Sequence, residues 1–148
     1  MADLHIEDFY RDTALILEQL YNAFPRKTSV YVEDIAGADN PDEFGLHSPR
    51  HMACFGTMLW LAEEGFIRFQ DTITQIAIDQ AVLTQSTFVT LSALSQDPDL
   101  MVDTTEKDWP APVKADQNTH INLIRRALKS GNTTRISVVM HRILFADQ

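Results

Sequence analysis

The residue order predicts an α+β domain that is mostly α, and three observations carry that prediction. An amphipathic stretch opens the chain and ends at Pro25; a short β-rich run, Ser29-Val30-Tyr31-Val32, is followed at once by two helix signals; and a second β-rich region lies between Phe66 and Leu83.

Asp3 can cap the first helix, whose Ile6, Phe9, Tyr10, Thr13, Leu17, Leu20 and Phe24 form one apolar stripe, with Pro25 marking the exit. Burying such side chains is worth about 1.5 to 3 kcal/mol each before entropy is subtracted, so the stripe reads as a core face. After the β-rich run, Glu33-Asp34-Ile35-Ala36 places acidic residues where a helix start favours them, and Gly37 ends that short helix. A turn-rich connection over 38–47 leads to Ser48-Pro49, a hydroxyl for the N-cap and a proline for the first helical position. The helix that starts there carries Met52, Phe55, Met58 or Leu59, and Ala62 at helical spacing, and should run from Pro49 to Glu64 with Gly65 as its stop. Phe66-Ile67-Arg68-Phe69-Gln70 and Asp79-Gln80-Ala81-Val82-Leu83 then read as the two strands of a hairpin. The connection from Asp71 to Ile78 fits a strand by its Ile76-Ala77-Ile78 alternation and a helical turn by the spacing of Ile73, Ile76 and Ala77.

The helix exit Leu61-Ala62-Glu63-Glu64-Gly65-Phe66-Ile67 and the hairpin exit Val82-Leu83-Thr84 resemble those of the winged helix-turn-helix proteins. The resemblance spans roughly the first two thirds of the chain and implies a winged helix-turn-helix domain over 1–95, with the hairpin as the wing. It also implies that the start of the helix beginning at Ser48 enters the major groove of DNA.

Thr84 can cap a fourth helix over Gln85 to Ser95, with Phe88, Leu91 and Leu94 on one side. Residues 96–118 have no consistent period and contain Pro98, Pro110 and Pro112 among acidic residues, which predicts an irregular connector; Leu100-Met101-Val102 and Trp109 make it apolar enough to dock on the domain. Order returns over 119–148. Ile121, Ile124 and Leu128 mark one helix, Ser130-Gly131 breaks it, and Asn132-Thr133 caps a second that holds Ile136, Val139, Met140 and Ile143. Helices this short need a partner for their apolar faces, either the domain or a second copy of the chain, and these seven side chains are candidates for a homodimer interface.

At 148 residues with 45% hydrophobic content the chain suits one domain with an appendage. It has no apolar run of membrane-spanning length, and Met1-Ala2-Asp3 lacks the basic-then-apolar order of a signal peptide, so the expectation is a cytoplasmic protein without membrane association. Cys54 is the one cysteine and falls mid-helix, which reads as a small buried apolar group and excludes an intramolecular disulfide. The net charge of -9 opposes nonspecific attraction to DNA. It is unevenly spread, with net -13 over 1–116 and +4 over 117–148; the basic residues Arg125, Arg126, Lys129, Arg135 and Arg142 can answer the acidic part.

Enzyme chemistry finds no foothold: there is no glycine-rich phosphate loop, no nucleophile elbow and no Cys/His cluster, and Glu33-Asp34 and Glu63-Glu64 point to different sides of a helix. No cofactor is called for and no metal site is assigned. The best metal set, His47, His51 and Cys54, suffers because His47 precedes the helix and falls outside the register that would align it with His51. Two functions remain. The first is DNA binding and transcriptional regulation through His47, Ser48, Arg50, His51, Thr57 and Arg68, favoured because Ser48-Pro49-Arg50-His51 sets a cation at the groove-facing helix start. On that reading Arg50→Glu abolishes binding without unfolding the protein. The alternative is a protein partner engaged by the acidic segment 33–43 or by the basic tail.

Overall fold

Helix α1, Leu4–Ala23, begins at Asp3, whose carboxylate makes no capping hydrogen bond. The computed structural model describes residues 3–145 apart from 104 and 106. Thr13, Leu17 and Leu20 of the expected stripe are buried, but so are Asp12, Ala14 and Ile16, while Ile6 is 44% exposed. A single stripe fits a helix covered from one side. This helix is covered from several: the elements that touch it include two helices before the sheet is complete and two from the tail, so its buried arc is wider than the stripe.

Strand β1, Thr28–Tyr31, passes directly into the short helix α2, Val32–Ala36, and the loop 37–48 leads to helix α3, Pro49–Glu63. Ser48 caps α3 through its side-chain oxygen, which accepts the backbone N–H of His51 at 3.1 Å. Gly65, at φ 83°, takes the left-handed conformation that lets the chain leave the helix for the sheet.

The second β region divides differently from the two equal strands expected of it. Strand β2 is only Ile67–Arg68, and Asp71–Ile73 forms a separate strand β3, with β4 running Ala77–Leu83. The segment 71–78 is therefore strand on both sides of a tight turn, in which the Ile76 N–H donates to the Ile73 carbonyl at 3.0 Å. Strand β4 pairs antiparallel with all the others: Ile67 faces Leu83, Ile73 faces Ala77, and Val30 faces Ile78, giving the order β1-β4-β2 with β3 also on β4. Its Ala77, Ile78, Ala81, Val82 and Leu83 are buried.

Helix α4, Gln85–Ser92, ends three residues before the expected Ser95, because Leu94 pairs instead with Thr119 in an isolated β-bridge. The connector is less irregular than its composition suggests. Leu100 is buried, and a short helix α5 covers Ala111–Asp116, whereas Met101 and Trp109 stay exposed. Asn118 ties this segment down as a strand would, its Oδ1 accepting the Val102 N–H at 2.6 Å and its Nδ2 donating to the Val102 carbonyl at 3.2 Å. Asn118→Ala leaves both backbone groups without that partner. It should cost about 1 to 3 kcal/mol and open the connector to limited proteolysis; a cleavage pattern unchanged from wild type would refute this anchoring role.

Helices α6, His120–Ser130, and α7, Thr133–Met140, are joined at Gly131, which sits at φ 68°, and α7 continues into a π-helical turn, His141–Phe145. The hairpin folds back on α1. Of the seven side chains expected to face a second copy, Ile121, Ile124, Ile136, Val139, Met140 and Ile143 are at most 7% exposed within the single chain, and Leu128 packs against the same core. The domain itself is the surface they cover, so six of the seven are already buried within the single chain and Leu128 partly so. Among the described residues, two of the five tail cations answer acids: Arg125 meets Glu18 at 3.7 Å, and Arg142 reaches Asp97 and Asp99 at 3.0 and 3.2 Å. Among the described residues no helix is long and apolar enough to cross a membrane.

Candidate functional site

The six residues expected to touch DNA do not share one surface. Arg50 turns away from solvent toward α1, where Nη1 and Nη2 donate to Asp12 Oδ2 and Oδ1 at 2.7 and 2.6 Å and Nε lies 3.6 Å from Asp8. Asp12 is 1% exposed, so this fork-to-fork pair fixes the start of α3 on the middle of α1. Hydrogen bonding to Asp12 raises the guanidinium pKa further above its already high ordinary value. Thr57 is buried, its hydroxyl donating to the Ala53 carbonyl at 3.0 Å within the helix. Arg68 stays exposed but lies on β2, lining a shallow depression with Lys27, Gln70 and Gln80.

His47, Ser48 and His51 do come together, and they do so around a residue outside the predicted set. Asp39, in the loop before α3, has an oxygen 2.8 Å from His47 Nδ1 and 3.5 Å from His51 Nδ1, and the Ser48 N–H donates to it at 3.3 Å. Hydrogen bonding from Ser48, followed by that from His47, outweighs desolvation and holds the Asp39 carboxyl at about 2, below its ordinary 3.8. The two imidazole rings stack with centroids 3.9 Å apart and planes 6° from parallel. His47 thus reaches His51 although it precedes the helix, because the extended backbone of Ser48 carries it back over the first turn. Cys54 has no part in this cluster. It is wholly buried, and burial pushes its thiol up to about 12.

The outward side of α3 is formed instead by Pro49, Ala53, Gly56 and Trp60. Beside it runs a groove of about 390 Å³, bounded across from α3 by His5, Ile6, Asp8 and Phe9 of α1. Trp60 stands edge-on to Phe9 at 5.4 Å and forms one wall, while Gly56 leaves the floor open: a Cβ built there meets nothing within 4 Å. No lysine or arginine lines this groove.

No family model, curated protein or solved structure matches this chain.

Two features of these sites could not be read ahead of the structure. Asp12 and Asp39 are ordinary members of acidic stretches until the fold brings Arg50 and the two histidines to them. Gly56 did carry a signal, since glycine inside a helix costs about 1 kcal/mol relative to alanine and so marks a position where space is needed.

Proposed function

We propose that this chain is a winged helix-turn-helix domain used for protein contact, with the groove between α1 and α3 receiving an amphipathic helix of a partner protein. The fold reading is supported by the succession of α1, β1, α2, α3 and a hairpin, and by the placement of β4 between β1 and β2. The contact reading rests on one observation: the outward side of α3, the helix that would read DNA, offers Ala53, Gly56 and Trp60 and no cation.

Small residues at Ala53 and Gly56 let a helix backbone come close, and Trp60 with Phe9 gives the rigid aromatic anchors on which such contacts concentrate their energy. The flanks of the partner helix should be basic, because Asp8 borders the groove and the chain carries a net charge of -9. Phosphates would meet the opposite situation. Arg50, at the start of α3, is already shared by two carboxylates that border the groove, whose charges would repel a DNA backbone.

Parallel selections from a displayed library of amphipathic helices and from a random DNA pool test this, with wild type beside Gly56→Glu. A Cβ at position 56 meets nothing within 4 Å and glutamate improves helix propensity, so the side chain fills the groove, with circular dichroism to check the fold. Wild type should enrich helices with basic flanks, and Gly56→Glu should weaken the selected peptides at least tenfold. An enriched DNA motif, or helix binding that survives in Gly56→Glu, would overturn the proposal.

A further inference from the structure

We infer that Asp39, His47 and His51 form a binding site for one divalent transition-metal ion of the zinc class, a property independent of the protein-contact reading. The ligand atoms of the three residues lie within 4.8 Å of one another, at the junction of the loop before α3, the first turn of α3 and the tip of the β3–β4 hairpin.

The decisive group is His51. Its ring is 2% exposed, and Nε2 lies 2.7 Å from the backbone carbonyl oxygen of Gln75. A carbonyl oxygen only accepts, so Nε2 carries the proton, and in the neutral ring Nδ1 is left with a bare lone pair. That nitrogen is buried without a hydrogen-bond partner. It faces the Asp39 carboxylate across 3.5 Å, so two electron-rich atoms, both on largely buried side chains, confront each other. A cation between them resolves the conflict.

The surroundings are those a metal ligand needs. Histidine ligands commonly donate their second N–H to a backbone carbonyl, which fixes tautomer and ring direction, and Gln75 does this for His51. The Ser48 N–H is shared between Asp39 Oδ1 and Oδ2, at 3.3 and 3.4 Å, and holds the carboxylate so that Oδ2 faces both histidines. Two imidazoles and one carboxylate suit zinc and its neighbours in the first transition row, whereas calcium and magnesium prefer sites made of oxygen alone. Three protein ligands leave a fourth position for water or for an atom of another molecule.

The stacked rings also dictate what must move. An ion lies near the plane of each imidazole it binds, and two parallel planes do not share such a point. His51 is held by Gln75, so His47, whose side chain is 20% exposed, is the ring that swings out of the stack.

Titration calorimetry of the full chain with Zn²⁺ tests the site, beside His47→Ala and Asp39→Asn, two changes that leave the buried His51 ring itself in place. One ion should bind per chain, each variant should lose at least tenfold in affinity, and Tm of the wild type should rise roughly 5 to 10 °C at a hundredfold excess over Kd. The cobalt complex should show the visible absorption of a low-symmetry nitrogen and oxygen site, absent in both variants. No binding by folded wild type would overturn the inference. So would binding with unchanged affinity in both folded variants, which would place the ion elsewhere.

Discussion

Arg50→Glu should unfold the protein or bring it close to unfolding, and not merely abolish a contact. Asp12 is 1% exposed and receives both terminal nitrogens of Arg50, and the Arg50 side chain itself is 31% exposed. Removing one partner of a buried pair leaves the other charge stranded, at a cost of about 3 to 5 kcal/mol, and the lower end applies where the cation is partly solvated. The glutamate adds a third carboxylate beside Asp8 and Asp12. Against a total stability of about 5 to 15 kcal/mol for a domain, that is a large fraction. Urea denaturation should show the midpoint falling sharply. The double variant Asp12→Leu with Arg50→Met, which removes both charges and keeps apolar bulk, should recover most of the loss, as replaced buried pairs often do. An Arg50→Glu unfolding free energy within about 0.5 kcal/mol of wild type, the range of ordinary surface changes, would show that the pair does not hold α3 to α1. The same argument disqualifies this substitution as a probe of DNA binding, because lost binding would report lost structure. Gly56→Glu leaves that pair in place, and because its carboxylate also enters the groove bordered by Asp8 and Asp12, its fold is checked by circular dichroism beside the binding.

What the sequence could and could not disclose follows from the range of the interactions. Caps act within one turn, and two were legible: Ser48-Pro49 starts α3, and Gly131 with Asn132 divides α6 from α7, whereas Asp3 and Thr84 sit at helix starts without making the expected side-chain capping bond. The Asp12–Arg50 pair joins residues 38 positions apart, and nothing local in either helix announces it. Asp39 shares that limit; its neighbours Asp42 and Glu43 look equally suited, and only the loop's path selects it. The width of the buried arc on α1 was hidden for a related reason. Periodicity reveals how one helix face differs from the other, but α1 is covered by α3 on one side, where Asp12 meets Arg50, and by the returning tail on another. The division of 66–73 into β2 and β3 depends on which stretch of β4 each piece meets, a pairing that alternation within one strand does not encode.

Ile124→Asp should abolish folding, and this follows from where the tail packs. Ile124 is 1% exposed in α6, within one continuous core that also holds Leu17 and Leu20 of α1 and Met140 of α7. An ionised carboxylate there has no partner, and the lost isoleucine adds a cost of about 2 to 5 kcal/mol of its own. Together these are of the order of the whole stability. Val138 offers the contrast: it lies on the same helical hairpin but is 38% exposed, and Val138→Asp should change stability by no more than about 0.5 kcal/mol. Circular dichroism and thermal melts of the two variants separate the readings. Were the tail a detachable dimer arm, Ile124→Asp would give a folded monomer with a cooperative melt, and the wild-type Tm would rise with protein concentration. With the tail in the chain's own core, Ile124→Asp gives no cooperative melt and the wild-type Tm does not depend on concentration, because the surface that stabilises α6 and α7 is α1 of the same molecule.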